Sequence, residues 1–179
     1  MKVDEADDIA TIKTAGTFRI TGTLDDGQII VDAEDDDEIY LILDDVEINC
    51  STSSPILIEN AAEVVIILAE SSTNSVADGS NYEIETDETE PNAAIFSKTD
   101  LTIVGEAGGT LTVDGNFNDG IASKDDLVFD DATITVAATD DGIRGKNLLV
   151  ITNSELEITA GGDGLKSDEE SVGSIEIED

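Results

Sequence analysis

Three evenly spaced copies of one short phrase restrict what this chain can fold into more than any other feature. They are Asn118-Asp119-Gly120-Ile121, Asp140-Asp141-Gly142-Ile143 and Gly162-Asp163-Gly164-Leu165, with a register advance of 22 residues at each step. A looser copy, Asn92-Ala93-Ala94-Ile95, precedes them by 26 residues. A fixed period of this length is the signature of a solenoid. After each Asp-Gly-Ile come short runs of β-formers, such as Leu127-Val128-Phe129 and Thr133-Ile134-Thr135-Val136. No window from 92 to 179 places apolar residues at i, i+3, i+4 and i+7 over a helix length, which excludes helical and leucine-rich repeats. The expectation is an all-β, right-handed parallel β-helix. It would hold about six three-strand coils with periods of 22 to 26 residues, equivalent residues stacking in columns roughly 4.8 Å apart.

Aligned coils define the columns. Ile95, Ile121, Ile143 and Leu165 point inward as a core ladder, and period-2 alternation puts Ser97, Ser123, Gly145 and Ser167 on the same side. Phe96, Ala122, Arg144 and Lys166 then point outward, as do Lys98, Lys124, Lys146 and Asp168. Upstream, residues 1–13 read as an acidic lead-in, 17–21 as a first strand closed by Gly22, and 28–32, 38–43 and 46–48 as one coil. Residues 55–59, 64–69 and 75–77 make another. The near-continuous apolar runs at 39–43 and 64–68 imply a wall covered on its outer side. Residues 78–92, with six acidic side chains and a proline, form an inserted loop on one corner. The sequence stops within what reads as a further coil, truncated or uncapped, so either a cap is missing or something else pairs with the open edge. The whole of 1–179 reads as one domain.

Charge decides the partner class. With 43 acidic against 8 basic residues the formal net charge is −35, which excludes nucleic acid or an anionic membrane as a general partner and favours cations. A halophilic protein coat is the alternative source of such acidity. The single Cys50 excludes an internal disulfide and reads as a small core residue. No stretch has the length of a signal peptide's apolar region or a membrane span, so an exported protein would carry its signal or anchor outside this sequence.

Asp119, Asp141 and Asp163 stacked at coil spacing, with Asp140 beside Asp141, repel one another by about 1 kcal/mol per pair in water and several at lower effective dielectric. Ca²⁺ relieves that repulsion, because oxygens across the ion lie up to roughly 5 Å apart. Asn118 and Asp168 complete the candidate ligand set. The absence of His and the solitary Cys argue against zinc or a redox metal. The competing reading makes Asp-Gly a turn pair, the Asp capping amides and the Gly supplying positive φ. Lys98, Lys124, Arg144, Lys146 and Lys166, five of the eight basic residues, form a candidate carbohydrate-binding strip; equally, they offset the Asp column.

The segments DGQIIVDAEDDDEIYLILDDVEI, EPNAAIFSKTDLTI, GNFNDGIASKDDL, TDDGIRGKN and GGDGLKSDEE resemble the carbohydrate-binding domain-containing proteins of cellulolytic clostridia. The resemblance covers the chain from about Thr17 onward. It implies a β-helix similar to calcium-dependent pectate lyases, bound calcium, an extracellular or cell-surface location, and affinity for plant polysaccharides including pectic acid. Asp140-Asp141-Gly142 resembles the calcium pair of some of those lyases, but Arg144 stands where they have a further acidic ligand. No residue carries the mark of a lyase base, so the expectation is a non-enzymatic module. With no Trp, the plausible aromatic contacts are Tyr40, Tyr82, Phe96 and Phe117, a deficit that favours charged polysaccharide over cellulose. Two alternatives stand: a calcium-stiffened structural subunit that self-associates end to end, and a β-helix polysaccharide lyase.

Overall fold

The structure, a computed structural model, describes residues 2–4, 8–83, 90–169 and 173–178. It is a β-solenoid of about six turns, without a helix among the described residues. Each coil passes through three walls. The first wall stacks Ile9–Ile12, Gln28–Asp32, Ile56–Asn60, Ala93–Ser97, Asp119–Ser123, Ile143–Gly145 and Leu165–Lys166, all parallel. The second stacks Glu63–Leu68, Asp100–Gly105, Leu127–Asp130, Leu148–Thr152 and Ser174–Glu178. The third stacks Thr73–Asp78, Thr110–Gly115, Thr133–Ala138 and Glu155–Ala160.

In the first two coils the second and third walls are one strand each, Gly16–Leu24 and the 13-residue Glu38–Cys50. The sequence reading split these, closing the first at Gly22 and breaking the next after Leu43. Instead, each chain turns the corner without leaving the ladder. The turn uses a single left-handed residue, and this recurs in every coil: Gly22 (φ 93°), Asp45 (55°), Ser71 (60°), Gly108 (75°), Asp131 (50°) and Asn153 (47°). Gly, Asn and Asp tolerate that conformation best, which explains the residue choice at five of the six. The lead-in is also corrected. Ile9–Ile12 is the first strand of the first wall, Ile12 is fully buried, and Lys2–Asp4 pairs antiparallel with it.

The core lies inside the tube. Ile29, Ile56, Ile95, Ile121 and Ile143 stack in register with almost no exposure, as the inward ladder requires. Burying each such side chain stabilises by roughly 1.5–3 kcal/mol relative to leaving it in water. Ser97 and Ser123 also point in and are fully buried, and both hydroxyls donate to the Thr99 carbonyl at 2.8 and 2.9 Å. Phe96 and Ala122 sit on the outer side as expected but are not open. They form a second buried cluster with Leu57 and Ala93 outside the first wall, which removes Phe96 as a ligand contact. At the far end the ladder runs out into solvent, with Ile175 and Ile177 stacked on Leu149 and Ile151 and Ile177 67% exposed.

Candidate functional site

The corner between the third and first walls carries the acidic column, and its local chemistry repeats. A carboxylate on one coil accepts an amide hydrogen from the next. Asp26 accepts from the Ser51 amide at 2.8 Å, Asp78 from the Asn116 and Phe117 amides, Asp119 from the Asp141 amide at 3.2 Å, and Asp141 from the Asp163 amide at 2.9 Å. These bonds tie coils together where the ladder changes wall. The glycines that follow are demanded by close approach: a Cβ on Gly142 would strike the Ile158 side chain and come within 2.7 Å of the Gly164 carbonyl oxygen. None of Gly120, Gly142 and Gly164 is among the glycines at positive φ; at Gly120 and Gly142 a packing role replaces the turn role, whereas a Cβ on Gly164 would meet only Ile158, at 4.0 Å.

The acidic and basic columns are each other's partners. Arg144 donates Nε and Nη2 to Asp119 Oδ2 at 3.0 and 2.8 Å, and Lys166 Nζ donates to Asp141 Oδ2 at 2.7 Å. Both pairs join a carboxylate to a cation one coil and three residues later. Arg144 is only 9% exposed and Asp119 1%. Asn92 receives a bond from Arg144 at 3.2 Å, while Asn118 Nδ2 donates to Asp119 Oδ1 at 3.2 Å. Burial pushes the Asp119 carboxyl above its usual range, with Arg144 pulling it back. For Asp141 burial also pushes upward, but the Lys166 ammonium and the Asp163 amide outweigh it and the carboxyl lies below its usual range. Its hydrogen bond to Asp141 holds the Lys166 ammonium above the ordinary lysine value.

These groups line an open cleft of about 200 Å³ that brings together Asn118, Asp119, Asp140, Asp141 and Asp168 from the predicted ligand set with Arg144 and Lys166, closed at one rim by Glu90 and Asn92. Asp163 is exposed and stays outside it. Asp119, Asp140 and Asp141 each offer a carboxylate oxygen within 4.8 Å of the others, a spacing suited to a hard, oxygen-seeking cation. Asp140 has the freest carboxylate, since one oxygen of Asp119 and one of Asp141 are taken by Arg144 and Lys166. A Cβ on Gly162 would lie 2.5 Å from Asp140 Oδ1 and 2.7 Å from Asp141 Oδ1, so only glycine leaves that side of the cleft open.

Of the remaining predicted carbohydrate contacts, none lines the cleft. Lys98 is paired with Glu59, Lys124 with Glu90, and Lys146 with Glu169 at 3.6 Å. Tyr82 stacks on Phe117 with ring centroids 4.1 Å apart, and its hydroxyl donates to Asp78 at 2.6 Å, pinning the start of the excursion whose far end supplies Glu90 and Asn92. Residues 84–89 of that excursion lie outside the described residues. Sequence reasoning missed one cluster: Asp100, Asp125 and Asp126, on the corner between the first and second walls, also place carboxylate oxygens within 4.8 Å. Its signal is the Lys-Thr-Asp and Lys-Asp-Asp at matching coil positions, which reads as solvated charge.

The fold has a close counterpart. A solved structure described as the polysaccharide lyase-like protein from C. thermocellum, gadolinium derivative, matches with a TM-score of 0.90 and 38% identity over 94% of this chain and 69% of that one. A carbohydrate-binding domain-containing protein of Acetivibrio thermocellus is 42% identical over 128 residues, 71% of this chain. The chain spans less than half of that relative's length, 44%. A family model described as carbohydrate-binding domain-containing protein matches residues 6–179, nearly the entire sequence, and the chain therefore belongs to that family.

Proposed function

We propose that this chain is a non-catalytic module that binds acidic polysaccharide outside the cell, through Ca²⁺ held at the cleft. The observation that carries this reading is the charge balance of the cleft. Five carboxylates face one guanidinium and one ammonium, and both cations are already bonded to Asp119 and Asp141. A uronate approaching such a surface meets repulsion unless a divalent cation lies between. Asp140 and Asp141 are the ligands proposed for that ion, with Asp168 across the cleft and Asp119 behind. Calcium takes six to eight oxygen ligands at about 2.3–2.6 Å, so sugar carboxylates and hydroxyls can complete a shell that the protein only begins.

The chemistry of a lyase calls for a base whose pKa is lowered. Lys166 is shifted the other way by Asp141, and Arg144 is buried and doubly bonded to Asp119. The name of the structural neighbour keeps cleavage as the second reading. A pull-down on polygalacturonate with and without Ca²⁺, run beside an ultraviolet assay for unsaturated uronate, separates them. Calcium-dependent binding without product is the expected result. Product formation establishes a lyase, and absence of binding with concentration-dependent polymers points to a structural subunit joined through Ile175 and Ile177.

A further inference from the structure

The outer face of the second wall is apolar where a solenoid surface meets water. Between Thr17 and Arg19 of the first coil, the latter paired with Asp44, and Glu176 and Glu178 of the last, its two outward columns run Tyr40, Val65, Thr102, Val128, Val150 and Ile42, Ile67, Val104, Asp130, Thr152. Every side chain of those two columns is half-buried, which on a flat sheet reflects shielding by lateral neighbours. Seven of them are contiguous and apolar. Strand propensity does not account for this, because Thr suits a strand as well as Val does. The third wall of the same coils makes that substitution: its matching outward column is Glu47, Ser75, Thr112, Thr135 and Glu157. A contiguous apolar patch that remains half-exposed, on a wall whose neighbour is polar at the matching positions, is the mark of an interaction surface.

Charge identifies the occupant. Along one side of the patch Glu38, Glu63 and Asp100 stand in register on successive coils, with Asp126 next and its amide bonded to Asp100. On the other side lie Glu70 and Glu106. Lys98 and Lys124, close in sequence to Asp100 and Asp126, are paired elsewhere, with Glu59 and Glu90. A two-fold pairing of two copies through this face would lay acidic flank on acidic flank, which like-charge juxtaposition penalises. The complementary shape is an apolar strip bordered by positive charge.

We propose that the outer face of the second wall docks a cationic protein segment, its apolar side chains lying on Val65, Ile67, Val104 and Val128 and its Lys or Arg residues beside the Glu38, Glu63, Asp100 row. This surface is separate from the cleft. The probe is a synthetic peptide alternating Val with Lys, compared at physiological salt with one of equal length alternating Ser with Lys, on the full chain. The Val peptide binds tighter by about tenfold or more, the loss expected when several buried methyl groups are removed. The triple variant Val65→Thr, Ile67→Thr, Val128→Thr abolishes that difference, keeps its melting temperature, and leaves polygalacturonate binding unchanged. Equal affinity for both peptides, or no binding of either, overturns the proposal in favour of a general acidic field. So does a wild-type dimer in sedimentation that the triple variant dissolves, which assigns the face to a second copy. Loss of neutral glucan binding in the variant, with no peptide effect, assigns it to a sugar surface.

Discussion

Asp119 and Arg144 show how much a buried pair can hide from a sequence. Both positions were legible as members of columns, one acidic and one basic, and each column invited its own function. That the basic column offsets the acidic one was one of two readings left open; which residue meets which was not legible, because it depends on which way each side chain leans at a corner. In the structure Arg144 and Lys166 are each paired within the protein, with Asp119 and Asp141. Removing Arg144 strands a nearly fully buried carboxylate, so Arg144→Ala is expected to destabilise by roughly 3–5 kcal/mol. Replacing both partners by neutral residues of similar volume, Asp119→Asn with Arg144→Met, should recover most of that loss. Denaturant unfolding of the two single variants and the double checks it; additive losses would mean that the pair is not coupled.

The element scale was the most legible, since a 22-residue period and the inward Ile column demand stacked parallel strands. What escaped was how corners are turned. At the bend between the second and third walls one left-handed residue turns the chain, and Asp45, Asp131 and Asn153 there look like ordinary polar loop residues in sequence. Nor does a glycine column say whether it serves φ or space. Here it serves space, and Gly142→Ala is expected to cost about 1–3 kcal/mol, the range for overpacking, because backbone on the next coil blocks the new methyl. At Gly22, where φ is 93° and no atom lies within 4 Å of an added Cβ, the same change is strained by conformation alone. Thermal unfolding of Gly142→Ala checks the first; an unchanged midpoint would show that the corner relaxes freely.

For the molecule as a whole, acidity and burial pull stability in one direction. The carboxyls of Asp78, Asp100, Asp119 and Asp126 are all raised, chiefly by burial. Between the ordinary Asp value of 3.8 and each raised value the native state holds more protons than the unfolded one, so these groups lose stability as pH rises through that window. Asp26 and Asp141, lowered by their hydrogen bonds, act oppositely, and their contribution is lost only as pH falls below 3.8. The melting temperature at low salt is therefore expected to peak on the acid side of neutral; a steady fall from pH 7 to pH 5 would contradict it. Chelating Ca²⁺ should lower the melting temperature too, because a ligand at a hundredfold excess over Kd stabilises by about 2.7 kcal/mol. High NaCl screens diffuse repulsion over about 8 Å at physiological strength but replaces no chelated ion, so it should not restore the loss fully. Full restoration in calorimetry would assign the acidity to a halophile's coat. The offset of the ion pairs also bears on how such a chain changes length over generations. The stretch from Asp141 to Gly162 carries the base that neutralises the coil before it and the acid that awaits the coil after it. Copied in tandem, it inserts a coil whose Arg meets the preceding Asp and whose Asp meets Lys166. Duplication of one tile thus lengthens the solenoid with each of these carboxylates still matched to a cation.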